Sequence, residues 1–307
     1  MKLTDHLYFY RGVEILPVFG LTSGNSCIIK GNTLTLTDPG TAPGFQTRNV
    51  KRCMRTDGLA PEAITQIFIT HAHQDHSPAA AHFYHNKNAK VLCHEKEIPF
   101  LQSPSTFYKD EIRAFGYASI FEPPEFIVDA SVYLLFGDTP SIQAPTAVRD
   151  GDIIDESAGA RVIALPGHRP GEIGIYLEKD SALVTGDIIN WRRYEIPSLN
   201  MPLSDLDQTV ESLIKIKSLS IDVMTNGHEK FVRGQDRIRK WIDDVIGWCE
   251  WAKETTQKVV SERNNRVSLV KLGLDLTNGN KDIPPYEIIF IAHTVLKSIG
   301  YSGKVFL

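Results

Sequence analysis

The sequence is poor in cysteine, has no long apolar run and is not dominated by charge of either sign. Its four cysteines are far apart and form no CxxC pair, so neither a disulfide scaffold nor a thiolate zinc site is expected, and free thiols are predicted. No window approaches the roughly 20 apolar residues of a membrane span, and the N-terminus lacks the apolar core of a secretory signal. These absences predict a cytoplasmic protein that does not enter a membrane.

Charge and composition exclude further classes of protein. The 33 Lys and Arg residues are outnumbered by 37 Asp and Glu residues, so the formal net charge is −4 and a broadly basic nucleic-acid platform is excluded. Hydrophobic residues make up 42% of the chain and charged residues 23%, which is ordinary for a globular protein. The 307 residues allow one large domain, or one domain with an appendage. We therefore expect a small-molecule partner and no nucleic acid.

Short apolar runs that read as strands alternate with helical patterns over most of the chain. Turn-separated strands occupy the first forty residues, a helix is predicted at 45–57, and a buried strand at 64–70. Ser77 and Pro78 are typical of the N-cap and first position of another helix. Ser204 begins a sequence that resembles the capping box of a later helix. Strands that alternate with helices indicate an α/β fold class.

Two regions depart from this alternation. Residues 97–145 are rich in Pro, Phe and Tyr and show no clear period, so we expect a lid-like insertion with short helices there. From about residue 233 onward, apolar residues recur at helical spacing. This pattern predicts a helical C-terminal extension over 233–307, packed on a main domain of residues 1–232. The extension also holds three of the four tryptophans, and because interfaces are enriched in aromatic residues, the composition admits a homodimer.

The most informative segment, HAHQDH at 71–76, comes directly after the buried strand. Three histidines and one aspartate fall within six residues there, although the whole chain contains only ten histidines. A strand end followed by a turn lets alternate side chains point into one cleft. Neutral imidazole combined with carboxylate is a favoured ligand set for first-row metals. The segment therefore predicts a metal site at the end of this strand.

Three further polar residues, each beside a glycine, follow strand-like runs later in the chain. They are His168 in ALPGHRPGEIG, Asp187 in LVTGDII and His228 in VMTNGHE. Glycine lets the backbone approach an ion closely, although a single His after Gly is a weak signal by itself. Because the three occur in this order, each at a strand exit, they are candidate ligands of the same site.

Together with Asp38-Pro39-Gly40, these residues resemble the signature set of the metallo-β-lactamase superfamily, over roughly residues 10–230. The resemblance implies an αβ/βα sandwich, in which two mixed β-sheets are flanked by helices and the metals lie at one edge. It also implies that residues 1–232 form the catalytic domain. The ligands that it assigns to the first metal are His71, His73 and His168. The ligands that it assigns to the second metal are Asp75, His76 and His228, and Asp187 would bridge both ions.

The resemblance implies a cofactor of two divalent metal ions, with zinc expected first and iron or manganese as alternatives. Water bound to such an ion can have a pKa near about 7, so we expect a bridging hydroxide to attack an ester, thioester or lactone carbonyl. Asp75 is placed among the catalytic residues, although it would act mainly as a ligand and not as the general base. Asp38 is a candidate to accept a hydrogen bond from a ligand histidine, or alternatively to shape the turn. Arg193 and Tyr194, which closely follow Asp187, are candidate substrate contacts.

Family resemblance narrows the reaction without naming the substrate. Asp187, together with His76, argues against β-lactam hydrolysis, because the true β-lactamases of this family place Cys or Ser where Asp187 stands. The set instead resembles thioesterases of the glyoxalase II type, lactonases and phosphodiesterases, including nucleases. The Gly-Gly that many glyoxalase-like members have soon after the motif is replaced here at 77–80, so a glutathione thioester is not expected. A nuclease is the third choice, because a chain of net negative charge does not attract a polyanion.

A mononuclear iron oxygenase of the persulfide dioxygenase type is the alternative from a different class of enzyme. In those relatives only the first metal position is filled, and the resemblance implies His71, His168 and Asp187 as the iron ligands. Metal content separates the two hypotheses, because two ions per chain support hydrolysis and one iron supports oxygenation.

Overall fold

The structure is a computed structural model, and only part of the chain is described by it. The described residues are 1–16, 21–42, 44–104, 126, 130, 139–189, 203–228, 230–262, 266–280, 283 and 285–307. The candidate substrate contacts Arg193 and Tyr194, and most of the insertion predicted at 97–145, lie outside the described residues.

The N-terminal half of the chain builds the first sheet. The first eight strands of the chain are β1 (Leu7–Tyr10), β2 (Glu14–Leu16), β3 (Leu21–Thr22), β4 (Ser26–Lys30), β5 (Leu34–Thr37), β6 (Ile64–Phe68), β7 (Lys90–His94) and β8 (Thr146–Val148). The sheet has six strands in the order β1-β4-β5-β6-β7-β8, and β2 pairs with β3 separately. The β1-β4-β5 pairings are antiparallel and the β5-β6-β7-β8 pairings are parallel, so the sheet is mixed.

The second sheet also has six strands and is also mixed. Its strands are β9 (Ile153–Asp155), β10 (Ala160–Ala164), β11 (Ile173–Leu177), β12 (Ala182–Val184), β13 (Val223–Thr225) and β14 (Val232–Arg233). They lie in reverse chain order, β14 to β9, and β12 and β13 form the one parallel pair of this sheet among the described residues.

Helices and short turns connect and cover the two sheets. The α-helices are α1 (Phe45–Thr56), α2 (Ala80–Lys87), α3 (Ile98–Gln102), α4 (Leu206–Lys217), α5 (Gln235–Glu262), α6 (Leu269–Leu276) and α7 (Pro285–Ser298). The 3₁₀ turns are Pro61–Ala63, Glu95–Glu97 and Glu178–Asp180. Two further strands, β15 (Arg266–Ser268) and β16 (Lys304–Phe306), pair in parallel within the region predicted to be helical.

The two sheets pack face to face over an apolar core. Side chains alternate between the two faces of a strand, so Leu7 and Phe9 of β1 point into this core while Tyr8 and Tyr10 point to the outer face. The second sheet contributes Val162, Ile173, Ile175, Leu177, Val184 and Val223. The helices lie on the outer faces, so the molecule has the four layers of an αβ/βα sandwich, and the predicted fold class is confirmed.

Each outer face is covered by its own set of helices. On the first sheet, Val50 of α1 and Phe83 of α2 form one cluster with Ile28 and Ile67. On the second sheet, a larger cluster joins the sheet to all the helices from α4 to α7, and it includes Leu183, Met224, Leu213, Val245, Leu272 and Val295. The extension thus shares a core with the second sheet, and the division at residue 233 stays a prediction.

The helix after the histidine-rich motif begins later than predicted. It starts at Ala80, and no side chain caps it, so the prediction of Ser77 as its N-cap is wrong. The hydroxyl of Ser77 donates to the carbonyl oxygen of His73 at 3.2 Å, and it is therefore used inside the motif turn.

The cap of α4 also lies one residue further along than predicted. The carboxylate of Asp205 accepts hydrogen bonds from the amides of Asp207 and Gln208, as an N-cap residue does. Ser204, the predicted cap, donates instead to the carbonyl oxygen of His168 at 3.2 Å, so it ties the start of this helix to a candidate ligand loop.

The cysteines are free thiols, as predicted. Cys27, Cys93 and Cys249 are buried and Cys53 is half-buried. Burial raises the pKa of the three buried thiols to about 12, so they stay protonated and unreactive near neutral pH. Among the described residues, no helix combines the length and the apolar character needed to cross a membrane.

Candidate metal centre

The candidate ligands follow strand ends at one edge of the sandwich. The motif at 71–76 follows β6, Asp187 follows β12, and His228 follows β13, the parallel neighbour of β12. His168 follows β10, which runs in the same direction as β12 because two antiparallel pairings separate them. Asp38 comes directly after β5, the parallel neighbour of β6. Carboxyl ends of strands that run in the same direction meet at one edge, so residues far apart in the chain are brought together here.

A first group contains His71, His73 and His168. Nδ1 of His73 lies 2.9 Å from Nε2 of His71 and 3.0 Å from Nε2 of His168. The ring of His73 is nearly perpendicular to both other rings, at 83° and 88°. All three side chains are buried. The facing nitrogens therefore converge on one small volume that is closed to bulk water.

A second group contains Asp75, His76 and His228. Nε2 of His228 lies 3.0 Å from Oδ2 of Asp75 and 3.2 Å from Nε2 of His76. The side chain of Asp75 is 22% exposed, whereas those of His76 and His228 are 0% and 3% exposed. The centre thus opens toward solvent on the side of Asp75.

Asp187 lies between the two groups. One carboxylate oxygen, Oδ1, is 3.4 Å from Nε2 of His76. The other, Oδ2, is 3.3 Å from Nε2 of His228 and 3.8 Å from Nε2 of His168. This carboxylate therefore faces members of both groups at once.

Burial and charge set the protonation of these side chains. Burial, followed by the neighbouring imidazoles, lowers the pKa of His71 and His73 well below the usual range, so both are neutral and keep a lone pair for a ligand bond. Burial opposes ionisation of Asp187, but His228 and His76 outweigh it and lower the pKa of this carboxyl well below its usual range. Asp187 is therefore a carboxylate at neutral pH.

Asp38 contacts the second group from behind. Its Oδ2 lies 3.2 Å from Nδ1 of His76, and its two oxygens also accept hydrogen bonds from the amide and hydroxyl of Thr70, at 2.9 and 2.8 Å. Asp38 has a φ of 42°, a left-handed conformation that is uncommon for a residue with a side chain. Both roles considered for this residue, the histidine contact and the turn, coincide in one buried side chain.

Two threonines that the sequence did not single out contact other rings of the centre. The hydroxyl of Thr70 lies 3.0 Å from Nδ1 of His71, and the hydroxyl of Thr22 lies 3.1 Å from Nδ1 of His228. In each case the contacted nitrogen is the one that faces away from the group. Such partners fix the tautomer and orientation of a metal-binding histidine.

Glu172 is a further buried carboxyl group near the centre, and the sequence motifs do not reveal it. Its Oε1 accepts a hydrogen bond from the amide of Asp187 at 2.5 Å and lies 4.0 Å from Nδ1 of His71. Burial, and then the charge of Asp187, raise the pKa of Glu172 well above its usual range. The available sequence signal was an acidic residue directly before the apolar strand β11, in GEIG.

Two glycines let the backbone pass close to the central side chains. A Cβ at Gly227 would overlap Oδ1 of Asp187, and a Cβ at Gly24 would lie 2.6 Å from the ring of His76. Gly227 was already marked by its position before His228. Gly24 had no recognisable motif around it, because its importance arises only when the two sheets meet.

Histidines outside the motif set lie elsewhere. His82 and His85 are on α2, where His82 contacts Asn86 and His85 contacts the carbonyl oxygen of Ser141. His293 is buried in α7, and burial lowers its pKa to about 4.

The donor atoms fit a metal centre. Two nitrogens bound to one tetrahedral zinc lie about 3.3 Å apart, because each Zn–N bond is about 2.0 Å long. The facing nitrogens of the first group, at 2.9 and 3.0 Å, come close to that spacing. Among the described residues, three sets of donors each lie within 4.8 Å of one another. The set of His71, His76 and Asp187 shares His71 with the first group and His76 with the second. The neutral imidazoles of His71 and His73 and the ionised carboxylate of Asp187 are ligand types that zinc and iron take.

Fold and site together define a class, the metal-binding αβ/βα sandwich proteins. A family model described as the metallo-beta-lactamase superfamily matches residues 19–228, and the chain belongs to that superfamily. It is 25% identical over 230 residues to the probable metallo-hydrolase YqjP of Bacillus subtilis (strain 168), with 70% of each chain covered. It is 20% identical over 179 residues to the probable metallo-hydrolase YybB of the same organism, with 57% of this chain and 70% of that one covered.

Solved structures share the fold over most of the chain. The metallo-beta-lactamase family protein TTHA1429 from Thermus thermophilus has a TM-score of 0.73 at 21% identity, and 96% of this chain and 94% of that chain are covered. A beta-lactamase domain protein from Burkholderia ambifaria has a TM-score of 0.70 at 17% identity, with 99% and 89% covered. TTHA1623, crystallised in a di-iron-bound form, has a TM-score of 0.52 at 21% identity, with 70% and 92% covered.

Proposed function

We propose that this protein is a metal-dependent hydrolase that cleaves an ester, thioester or lactone bond at a site for two divalent ions. The observation that carries the proposal is the position of Asp187, whose two oxygens face donor nitrogens of both groups. Two separate single-ion sites would not need one carboxylate between them. The curated relatives reported above are probable metallo-hydrolases, which supports the same reaction class.

In this proposal each group holds one ion. His71, His73 and His168 would hold the first ion, Asp75, His76 and His228 would hold the second, and Asp187 would serve both. When bound, two such ions would lower the pKa of a water molecule and polarise a carbonyl oxygen.

The protein's own residues hold this centre in a ready state. His71 and His73 are kept neutral by burial, so their lone pairs are available without loss of a proton. Asp75, with the most exposed side chain of the second group, borders the open side where substrate enters, and we assign its catalytic role there, as a ligand next to the reacting bond. Thr70, Thr22 and Asp38 hold the rings in place.

Metal identity is proposed as zinc, with iron as the first alternative. Imidazole and carboxylate suit both metals, and TTHA1623, which shares this fold, has been crystallised in a di-iron-bound form. Manganese is the third candidate.

The mononuclear iron oxygenase is the rival function. It would use His71, His168 and Asp187, and it would leave Asp75, His76 and His228 without a metal to bind. Because Nε2 of His228 lies 3.0 Å from Asp75 and 3.2 Å from His76, these residues also converge on one point, and hydrolysis at two ions is favoured. A nuclease is less favoured, since the net charge of −4 does not attract a polyanion.

Metal analysis combined with a substrate panel tests the proposal. Purified protein is expected to contain two divalent ions per chain and to hydrolyse members of a panel of p-nitrophenyl esters, thioesters and lactones faster than bis-p-nitrophenyl phosphate. One iron per chain, with oxygen consumption on a persulfide and no hydrolysis, would replace this proposal by the oxygenase.

We also propose a small-molecule substrate as the partner and keep the homodimer as a prediction. Trp248 and Trp251 lie on α5 with ring centroids 6.3 Å apart, and Trp251 is 38% exposed. Sedimentation of the purified protein distinguishes monomer from dimer.

A further inference from the structure

A buried ion pair adjoins the first group of histidines. Arg169 directly follows His168, and Glu97 ends the 3₁₀ turn that leads into α3. Nε of Arg169 donates to both carboxylate oxygens of Glu97, at 3.0 and 3.3 Å. The two side chains are 0% and 1% exposed. A pair this buried contributes little to stability, because desolvation offsets the attraction between the charges. Its contacts with the neighbouring loops are therefore the better guide to its role.

The carboxylate of Glu97 also binds the main chain of the histidine-rich motif. The amide of Ala72 donates to Oε2 of Glu97 at 3.0 Å, and Ala72 lies between His71 and His73. One carboxylate is therefore bonded to the peptide between two members of the first group and to the side chain beside the third. It connects the motif loop of the first sheet to the His168 loop of the second.

The surroundings hold this carboxylate in one place. A Cβ at Gly171 would lie 2.5 Å from Oε1 of Glu97, so the His168 loop packs directly against it. The ring of Phe100, on α3, lies 4.6 Å from the guanidinium carbon of Arg169 and covers the charge. These contacts restrict the movement of the ion pair and of the two loops that are bonded to it.

We propose that Glu97 and Arg169 are positioning residues that set the spacing between His168 and the His71–His73 segment, and thereby the affinity of the first metal ion. The inference rests on the proposed two-ion site. Outer contacts of metal ligands typically change affinity about 10- to 100-fold when they are lost. We expect a loss of that size for the first ion and no change for the second. In the part of the chain that the structure describes, the hydrogen bonds of this pair go to the first group's loop and not to Asp75, His76 or His228.

Co²⁺ titration of metal-free protein tests this inference without reference to activity. Visible absorption and calorimetry report the two binding steps, and the variant His168→Ala identifies the step that belongs to the first group. The test variants are Glu97→Gln and the double variant Glu97→Met with Arg169→Met, which leaves no unpaired buried charge. The matched control is Glu95→Gln, because Glu95 lies on the same turn but pairs with Arg149 at the surface.

We expect both test variants to weaken the step identified by His168→Ala by about 10- to 100-fold, while the second step and the Glu95→Gln control match the wild type. Circular dichroism of the metal-free double variant should match the wild type. Unchanged affinity for both ions in the double variant, or loss of the second ion instead of the first, would overturn the inference and leave the proposed function intact. A double variant that unfolds without metal also contradicts it, because the pair would then support the whole fold. Wild-type protein that takes up no Co²⁺ contradicts the proposed function itself.

Discussion

At the scale of single residues, Asp187 is the side chain on which the two-ion site depends most. Its oxygens lie 3.3 to 3.8 Å from nitrogens of His76, His228 and His168. We predict that Asp187→Asn lowers kcat/KM by more than about 100-fold, which is the upper end of the loss typical for outer contacts of metal ligands. The variant should also bind fewer than two metal ions per chain. The neutral amide cannot balance the charge of two ions, so both effects should appear together. Metal analysis and steady-state rates on the best substrate of the panel measure them.

The control for that prediction is His82→Ala. His82 lies only a few residues after the motif, on α2, and its ring contacts Asn86 and Lys51 at the surface. It should keep full metal content and activity. If Asp187→Asn instead retains two tightly bound ions, the shared-carboxylate arrangement is incorrect.

Sequence patterns revealed the residues that have a local signature. The motif at 71–76 is dense in histidine, and His168, Asp187 and His228 each follow a glycine at a strand exit, so all could be named before their convergence was known. Glu97 and Glu172 could not be named in this way. Each is an ordinary acidic residue in its own segment, and its role arises only from packing against a loop that is distant in the chain.

At the scale of secondary-structure elements, strands and helices with clear periodicity were predicted well, and weakly marked ones were not. The helix predicted at 45–57 is α1, and the helical spacing predicted from about residue 233 onward corresponds to α5, α6 and α7. The parallel pair of β15 and β16 was missed, because each strand has three residues and the partners are far apart in the chain. Helix starts were misjudged where a serine hydroxyl bonded to a ligand loop instead of to its own helix.

Two glycines in the C-terminal helices should respond in opposite directions to alanine. Gly247 is exposed on α5, and a Cβ there would meet no atom within 4 Å. We predict that Gly247→Ala raises the free energy of unfolding by about 0.5–1 kcal/mol, because alanine loses less backbone entropy in a helix. Urea denaturation measures the change.

Gly273 is the matched case, because a Cβ there would overlap the carbonyl oxygen of Ile288 on α7. Helix propensity again favours alanine, but a backbone oxygen cannot move without shifting α7. We predict that Gly273→Ala lowers the free energy of unfolding by about 1–3 kcal/mol, as overpacking does. Stabilisation by both substitutions would show that α6 and α7 are not packed as tightly as described.

At the scale of the whole molecule, the candidate site requires that two sheets stay in register, since the motif at 71–76 comes from one sheet and the other candidate ligands come from the second. Hydrogen bonds join the sheets well away from the site as well. Asp180, after β11, accepts from the amide of His6 and contacts its ring, both at 2.9 Å. Asp155, at the end of β9, contacts the turn between β4 and β5. Such ties fix the relative position of the layers beyond what the apolar core between them specifies.

Asp155 offers the clearest test of these ties, because the groups bonded to its carboxylate are hydrogen-bond donors. One oxygen accepts from the amide and hydroxyl of Thr33, at 2.8 and 3.0 Å, and the other from the hydroxyl of Ser157 and the amide of Ala158, at 2.7 and 3.1 Å. Burial opposes the charge on Asp155, but these hydrogen bonds outweigh it and hold the pKa of Asp155 below its ordinary 3.8. In Asp155→Asn, the NH₂ group of the new side chain would face hydrogen-bond donors and could not accept from them.

We predict that Asp155→Asn lowers the free energy of unfolding by about 2 kcal/mol at pH 7, the size expected for hydrogen bonds to a charged group. Because the folded pKa is depressed, this contribution is fully present above the unfolded pKa and is lost as pH falls below about 3.8 toward the folded value. The difference between wild type and variant should therefore be constant from pH 7 to pH 5 and shrink below pH 4, in urea denaturation of the metal-free proteins. Asp5→Asn, at an exposed position, should differ from wild type by less than about 0.5 kcal/mol throughout. A difference for Asp155→Asn that stays the same at pH 3.5 would mean that its charge does not hold the two sheets together.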